Sequence, residues 1–241
     1  MLNLGHYEDK VGNSMILERQ NFMSIPKTND NIKRVIGPDN VKQLQDMGII
    51  YQLCQSGANE VGTKLENLDT EFQFKHDHNP IHHMEERMKD VQSLFTKMKR
   101  KGLELSAQSV RDNIFDVAGI RVITNYLDDV YLIEKMLLQQ SDVTLLKRKD
   151  YIRHPKDSGY RSLHLVVSVP VFQTDGVHNV PVEIQIRTVG MDMWASLEHK
   201  LRYKTDSNPE VVAKYADQIQ GFSDEITSIE QRMQEIYQHL S

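Results

Sequence analysis

Apolar residues in the first third of the chain recur at alternating steps of three and four. This spacing puts them on one side of an α-helix, in a narrow stripe that is typical of helices packed against another element. Pro38 and Asp39 suit the start of the helix, and 76–80 has the composition of a break. We expect a loosely ordered leader at 1–37, where periodicity is weak. The stripe consists of Leu44, Met47, Tyr51, Cys54, Ala58, Val61, Leu65, Leu68 and Phe72.

The middle of the chain changes to short apolar runs rich in β-branched residues, which predict strands. We expect strands at 117–124, within 142–153, at 162–172 and at 180–188, with a turn at Asp175–Gly176. Helices are expected at about 82–101 before Gly102, at 106–113 with Ser106 as cap, at 128–140 and at 191–204. Because hairpin-like strands mix with helices, the pattern favours an α+β fold with a mixed sheet.

A second stripe with the same steps marks the end of the chain as helical from Pro209 onward. Two seams of about 40 Å each exceed what a small sheet covers, so we expect the surplus to be buried between subunits of a homo-oligomer, with a tetramer favoured. The competing interpretation is that both helices pack together within one chain. The predicted division is 1–37, 38–205 and 206–241, the last being the oligomerisation segment. The second stripe consists of Tyr215, Ile219, Phe222, Ile226, Ile229, Met233, Ile236 and Leu240.

Composition and charge narrow the class of protein. With 39% apolar and 26% charged residues and no apolar run near 20 residues, the chain is typical of a globular protein without a membrane span or secretory signal. Cys54 is the single cysteine, which excludes a disulfide framework and favours the cytoplasm. The net charge of −5 argues against a stable nucleic-acid partner, whereas six Lys and Arg in each of 87–101 and 147–161 indicate a local anionic ligand.

Two acidic residues are candidates for a metal site. In the strand 180–188, alternation puts Glu183, Gln185 and Arg187 on one face, opposite an apolar face. Asp116 directly precedes the apolar run of another strand. Together, Asp116 and Glu183 would suit Mg²⁺, which takes one or two carboxylates plus substrate phosphates. The alternatives are a half-exposed strand with surface charges and an ordinary turn residue.

Two basic segments are candidates for binding phosphates. The loop 147–164 combines six cations with Tyr151 and Tyr160, which suits a nucleotide base on an aromatic platform. In the expected helix 82–101, Lys89, Ser93 and Lys97 share one face. Solvated basic surfaces are the alternative for both. The chain contains neither a P-loop nor a Rossmann fingerprint, and the histidine-rich patch at 76–83 suits a solvated linker better than a metal.

Four blocks carry a resemblance to a known family. RMKDVQSLFTKMKRKG, FDVAGIRVI, KDYIRHPKDSGYRSLH and VEIQIRTVGMDMWASLEHKLRYK follow one another over about residues 85–205. They resemble the synthetase domain of RelA/SpoT-type alarmone enzymes, and MDMWASLEHKLRYK resembles the small, single-domain, RelP-like branch. The resemblance implies a nucleotidyltransferase-like core between N- and C-terminal helices. The 80 residues before the blocks are too few for the metal-dependent hydrolase domain of the long relatives.

The resemblance also implies a role for individual residues. Asp116 and Glu183 resemble the magnesium-binding and catalytic carboxylates. The residues that resemble ATP contacts are Arg87 and Arg121 around adenine, with Lys89, Ser93 and Lys97 at the phosphates. The residues that resemble the GDP or GTP site are Tyr160 as the guanine platform, then Lys149, Lys156, His164, Gln185 and Asp192.

The reaction implied is transfer of the β,γ-pyrophosphate of ATP to the 3′-hydroxyl of GDP or GTP, releasing AMP. Mg²⁺ would draw charge from the phosphoryl oxygens, and Glu183 could accept the hydroxyl proton. Three alternatives stay open: another two-carboxylate nucleotidyltransferase, a regulator that binds nucleotide or RNA without chemistry, and a helical assembly protein. The last explains the two stripes but not the central blocks.

Overall fold

Twelve elements are defined in the computed structural model, which describes residues 17–18, 38–205 and 209–240, with side chains at 45–201 and 215–240. The expected leader at 1–37 lies outside these residues except for two positions. The strands are β1 Leu17–Glu18, β2 Ile81–Met88, β3 Ala118–Thr124, β4 Thr144–Asp150, β5 Leu163–Gln173 and β6 Gly176–Thr188. The helices are α1 Pro38–Lys75, α2 Val91–Arg100, α3 Ala107–Asn113, α4 Leu127–Leu138, α5 Val189–Thr205 and α6 Pro209–Leu240.

The strands form one sheet in the order β1-β2-β3-β6-β5-β4. β3 and β6 pair in parallel, as do β1 and β2, whereas β2 with β3, β5 with β6 and β4 with β5 are antiparallel. The expected α+β fold with a mixed sheet is therefore confirmed. The parallel pair β3–β6 matters most for function, because it sets the strands that carry the two candidate carboxylates side by side.

Helix α1 packs its apolar stripe against the sheet, chiefly on β3, β5 and β6. Ala58, Val61 and Leu65 are 0% exposed, and they share one core with Val182 and Ile184 of β6. The strands of the same chain thus cover much of the first stripe, so the surplus expected at subunit contacts would have to come from the second. The opposite face of β6 is left for polar side chains.

The helix expected at about 82–101 is wrong in its first half. Residues 81–88 form β2, which pairs with β3 from Ile81 opposite Thr124 to Met88 opposite Ala118. Helix α2 begins only after Asp90, whose side chain accepts a hydrogen bond from the Ser93 N–H at 2.8 Å. Pairing with a strand 30 residues later overrides the local helical pattern.

The remaining elements follow the predictions closely. Ser106 caps α3 by accepting the Ser109 N–H at 3.2 Å, and the helices after β3 and β6 are where they were expected. The β5–β6 hairpin is longer than predicted, because Gln173 already pairs with Gly176. Within the described residues, no helix has both the length and the apolar character needed to cross a membrane.

Most of the α6 stripe is exposed on its own chain, unlike that of α1, although Ile219 and Ile226 are partly buried. Exposure of its apolar side chains reaches 54–58% at Phe222, Ile229, Met233 and Ile236. The other side of α6 contacts α4 and α5. The helix therefore has one side packed on its own chain and one apolar side open.

Candidate active site

Asp116 and Glu183 line one cleft on the polar face of the sheet. Glu183 lies within β6, and Asp116 lies just before the neighbouring β3. The register pairs Gly119 of β3 with Glu183. A Cβ added at Gly119 would lie 3.0 Å from the backbone oxygen of Glu183, so a side chain at this position would crowd the strand contact. The parallel pairing thus brings two acids, distant in sequence, into one cleft.

The Asp116 carboxylate is held by two lysines. Its Oδ2 accepts from Lys97 Nζ at 2.5 Å and lies 3.2 Å from Lys89 Nζ. Its Oδ1 is buried and has no hydrogen-bond partner among the described residues. A buried carboxylate oxygen without a donor is a ready ligand for a cation, because leaving it unpaired is costly.

The Glu183 carboxylate is fixed by its neighbours on β5 and β6. Its Oε1 lies 3.4 Å from His164 Nδ1, and its Oε2 accepts from Gln185 Nε2 at 2.9 Å. Burial raises the pKa of Glu183, but the hydrogen bonds and charge of its neighbours, His164 above all, outweigh burial and lower the pKa to about 2. Glu183 is therefore a fixed anion at neutral pH.

These two carboxylates fit the donor set of Mg²⁺. They offer hard oxygens, one of them an orphaned buried atom. Among the described residues, no group of three or more His, Cys, Asp and Glu side chains is arranged to hold a metal. The histidine-rich patch is no exception: His78 binds Asp129, with Nε2 2.9 Å from Oδ1. A cation between Asp116 and Glu183 would thus need further oxygens from a substrate.

Two arginines line the same cleft from neighbouring strands. Arg87 of β2 pairs with Gly119 of β3, two residues before Arg121. Arg121 is 13% exposed in its side chain, and its Nη1 lies 3.2 Å from Glu85 Oε2 and 3.4 Å from Asp192 Oδ1. Burial and the nearby guanidinium groups lower its pKa. Two flat guanidinium groups on one sheet face suit the faces of a purine.

A basic groove adjoins Asp116 at the start of α2. It is lined by Lys89, Ser93, Lys97 and Arg100, among other residues. Lys89 precedes the helix rather than belonging to it, and its N–H donates to the Val117 oxygen at 2.8 Å. The three residues predicted to share a helix face therefore still line one groove. Cations beside a helix N-terminus favour phosphate groups.

The loop between β4 and β5, with Lys149 and His164 of the adjoining strands, forms an aromatic and basic cluster. Lys156 Nζ lies 4.5 Å from the ring centre of Tyr160 and 4.7 Å from that of Tyr151. Lys149 Nζ lies 5.8 Å from Tyr151, and the Tyr160 hydroxyl is 2.8 Å from His164 Nε2. The structure thus brings together four of the residues assigned to the second nucleotide: Lys149, Lys156, Tyr160 and His164.

Arg187 joins these groups and was not assigned a role from the sequence. Its Nη1 donates to Asp192 Oδ1 at 3.0 Å, and its Nη2 donates to the Tyr160 hydroxyl at 2.7 Å and to Gln185 Oε1 at 3.0 Å. It is only 5% exposed. Its place on the polar face of β6 was a usable signal, since strand alternation groups it with Glu183 and Gln185.

The fold and the site define a class: a nucleotide-handling enzyme with two carboxylates between two basic regions on a mixed sheet. Residues 86–208 match the family model described as a region found in RelA / SpoT proteins, and the chain belongs to this family. The curated GTP pyrophosphokinase YwaC of Bacillus subtilis (strain 168) is 44% identical over 146 residues, 61% of this chain and 70% of YwaC.

Solved structures show the same relationship. Small alarmone synthetase 1 from Bacillus subtilis, bound to its product pppGpp, matches with a TM-score of 0.73 and 34% identity, over 83% of this chain and 99% of that chain. A structure of small alarmone synthetase 1 from Bacillus subtilis bound to AMPCPP matches with a TM-score of 0.66 and 32% identity, over 83% and 98%. The synthetase likeness therefore extends well beyond the four blocks.

Proposed function

We propose that this chain is a GTP pyrophosphokinase that makes alarmone nucleotides. It transfers the β,γ-pyrophosphate of ATP to the 3′-hydroxyl of GDP or GTP and releases AMP. The observation that carries this proposal is the cleft itself: Asp116 and Glu183 lie between a basic groove and an aromatic loop. Relatives named as GTP pyrophosphokinases and small alarmone synthetases support the same reaction.

The donor side is assigned to ATP. Arg87 and Arg121 hold adenine from β2 and β3, and the groove at the start of α2 takes the phosphates through Lys89, Ser93 and Lys97. The AMPCPP bound to small alarmone synthetase 1 is an ATP analogue, which supports a donor site on this fold. This groove lies at the start of α2, whereas the aromatic loop lies between β4 and β5. The two nucleotides are therefore assigned to separate elements of the fold.

The acceptor side is assigned to GDP or GTP. Tyr160 stacks on guanine, and Lys149, Lys156 and His164 surround the ribose and phosphates. Gln185 supports Glu183, and Asp192 accepts from the guanine edge. Arg187 adds a positioning role, because it holds Tyr160, Gln185 and Asp192 at hydrogen-bond distance. Two substrates are thus aligned across the carboxylates, which supplies much of the rate.

The chemistry forms a bond between the 3′-oxygen and the β-phosphorus and breaks the bond from that phosphorus to the oxygen of AMP. The 3′-hydroxyl proton is released, either to Glu183 or to solvent. Bound Mg²⁺, held by Asp116 and Glu183, would withdraw charge from the phosphoryl oxygens. The neighbours of Glu183 lower its pKa, so the carboxylate is anionic and can serve as a ligand of the cation or accept the hydroxyl proton.

The C-terminal segment 206–241 is proposed to join subunits. From Phe222 to Leu240 the α6 stripe is mostly exposed on its own chain, with Ile226 partly buried, and an extended apolar seam of this kind is normally covered. Closed symmetry makes a dimer or a dimer of dimers, hence a homotetramer, the natural product. We place the chain in the cytoplasm, where both nucleotides occur and the thiol of Cys54 stays reduced.

The test is incubation with ATP, GTP and Mg²⁺, followed by nucleotide chromatography. We expect AMP and a guanosine carrying a 3′-diphosphate, in equal amounts. Asp116→Asn and Glu183→Gln should each abolish both products while circular dichroism stays unchanged. Release of pyrophosphate without AMP would indicate another nucleotidyltransferase, and unchanged nucleotides in the presence of tight binding would indicate a regulator.

A further inference from the structure

The C-terminal helix contacts the acceptor loop directly. Ser223 of α6 donates from its Oγ to the Gly159 backbone oxygen at 2.6 Å. Ser223 is 4% exposed, although its neighbour Phe222 is 54% exposed. One turn of the helix thus faces the loop while the adjacent side carries the apolar stripe. Beside this contact, Arg161 Nη2 donates to Asp224 Oδ1 at 2.7 Å.

The contact fixes a turn that has little freedom of its own. Gly159 has φ +87°, a conformation that favours glycine. A Cβ there would lie 3.0 Å from Ser223 Cβ and 3.3 Å from Trp194 Cζ2. The Gly159 N–H donates to the Lys156 oxygen at 2.8 Å, and the Lys156 N–H donates to the Tyr160 oxygen at 3.2 Å. The turn is therefore closed by its own backbone hydrogen bonds, and it packs against α6 so closely that a side chain at residue 159 would crowd the helix.

The Gly159 oxygen belongs to the peptide plane that leads into Tyr160. A hydrogen bond to that oxygen sets the rotation of the plane, and hence the direction in which Tyr160 leaves the backbone. The far end of the Tyr160 side chain is held separately by Arg187. Ser223 and Arg187 thus restrain the ring from opposite ends.

We propose that Ser223 is a positioning residue for the acceptor nucleotide, acting through Gly159 on Tyr160 and Lys156. This inference rests on the proposed function, since it assigns the loop to GDP or GTP. Ser223 itself is buried against Gly159, so its effect on the nucleotide is indirect. It keeps Tyr160 and Lys156 in position before the nucleotide arrives, which lowers the entropy that these side chains lose on binding.

A tryptophan beside this contact allows it to be followed by fluorescence. Trp194 is the single tryptophan of the chain, and its Nε1 donates to the Ile219 oxygen of α6 at 2.9 Å. It is 6% exposed and lies against the turn at Gly159. Loosening the loop from α6 admits water to the indole, so tryptophan emission should shift to longer wavelength.

The experiment compares Ser223→Ala with Ser228→Ala, an exposed serine of the same helix. Loss of one buried hydrogen bond corresponds to about a 5-fold change in an equilibrium constant. We expect Ser223→Ala to raise the KM for GTP about 5-fold, to leave kcat and the KM for ATP within about 2-fold, and to red-shift the Trp194 emission. Ser228→Ala should match wild type in all of these, and light scattering should give both variants the wild-type mass.

Gly159→Ala provides a second variant at the contact between Ser223 and the turn. If both changes act through one contact, the double variant should raise the KM for GTP by less than the product of the single effects. An active wild-type enzyme with equal GTP KM values for Ser223→Ala and Ser228→Ala would overturn the positioning role. A wild-type chain that makes no 3′-diphosphate would instead overturn the proposed function, whatever Ser223 does to the Trp194 emission.

Discussion

The acid stability of the folded chain should depend on Glu183. In the native state its pKa is lowered from an ordinary value of 4.5 to about 2, because His164, Gln185 and Lys97 favour the anion more than burial disfavours it. As pH falls, the unfolded chain therefore takes up the proton first. The stabilising contribution is complete above pH 4.5 and is lost as pH falls toward 2.

The size of the effect follows from the two pKa values. Their difference corresponds to about 3 kcal/mol of stability at neutral pH, and about 1 kcal/mol of it is gone by about pH 3.5. Glu183→Gln has no carboxyl to titrate. We therefore expect the difference in unfolding free energy between wild type and Glu183→Gln to narrow by about 1 kcal/mol from about pH 7 to about pH 3.5.

Urea denaturation at a series of pH values measures this difference directly. Glu104→Gln is the matched control, because Glu104 is exposed, and its difference from wild type should stay constant over the same range. A constant difference for Glu183→Gln as well would refute the reasoning, since Glu183 would then titrate alike in the folded and the unfolded chain. The assay does not depend on catalysis, so it tests the geometry around Glu183 alone.

Three further outcomes are expected. Tyr160→Ala should weaken GTP binding roughly 5- to 150-fold and ATP binding far less, whereas Arg121→Ala should weaken ATP binding more than GTP binding. If equilibrium binding shows that Tyr160→Ala weakens both nucleotides equally, Tyr160 is a packing residue. Burial raises the pKa of Cys54 to about 12, so the native thiol should resist Ellman's reagent and react only after denaturation; fast native labelling would contradict this. Light scattering should give a mass well above the 28.0 kDa of one chain, and Ile229→Glu with Ile236→Glu should reduce it; a wild-type mass of one chain would rule out the α6 contact.

Local patterns predicted most elements but not their pairing. The cap at Ser106 and the strand after Asp116 depend on short-range chemistry, and both were identified. Strand β2 was missed because Met84, Met88 and Val91 also fit a helical spacing. The strand conformation of that segment depends on its antiparallel pairing with β3. Local periodicity cannot predict such a long-range contact.

The two apolar stripes also show that local patterns do not predict long-range packing. Both have steps of three and four residues, yet that of α1 is buried by the sheet and that of α6 is exposed. Periodicity reports that a helix has an apolar side but not which surface covers it. The sequence predicts a surplus of apolar surface, and the structure indicates that α6 rather than α1 carries it.

The candidate site was accessible from sequence chiefly through the resemblance. Strand alternation alone grouped Glu183, Gln185 and Arg187, but no local signal links Ser223 to Gly159, 64 residues apart. Arg187 was placed on that face without a role, because its partners Tyr160 and Asp192 come from a loop and a helix that the strand pattern cannot place.

Each acidic side chain of the cleft already has a basic neighbour before any nucleotide binds. Asp116 lies beside Lys89 and Lys97, Glu183 beside His164, and Asp192 beside Arg187 and Arg121. If the donor triphosphate binds in this groove, as proposed, it competes with Asp116 for both lysines. Because an unpaired carboxylate in a cleft is costly, a divalent cation brought by the phosphates would take the place of the lysines. We therefore expect the protein without nucleotide to bind Mg²⁺ weakly, which titration calorimetry measures.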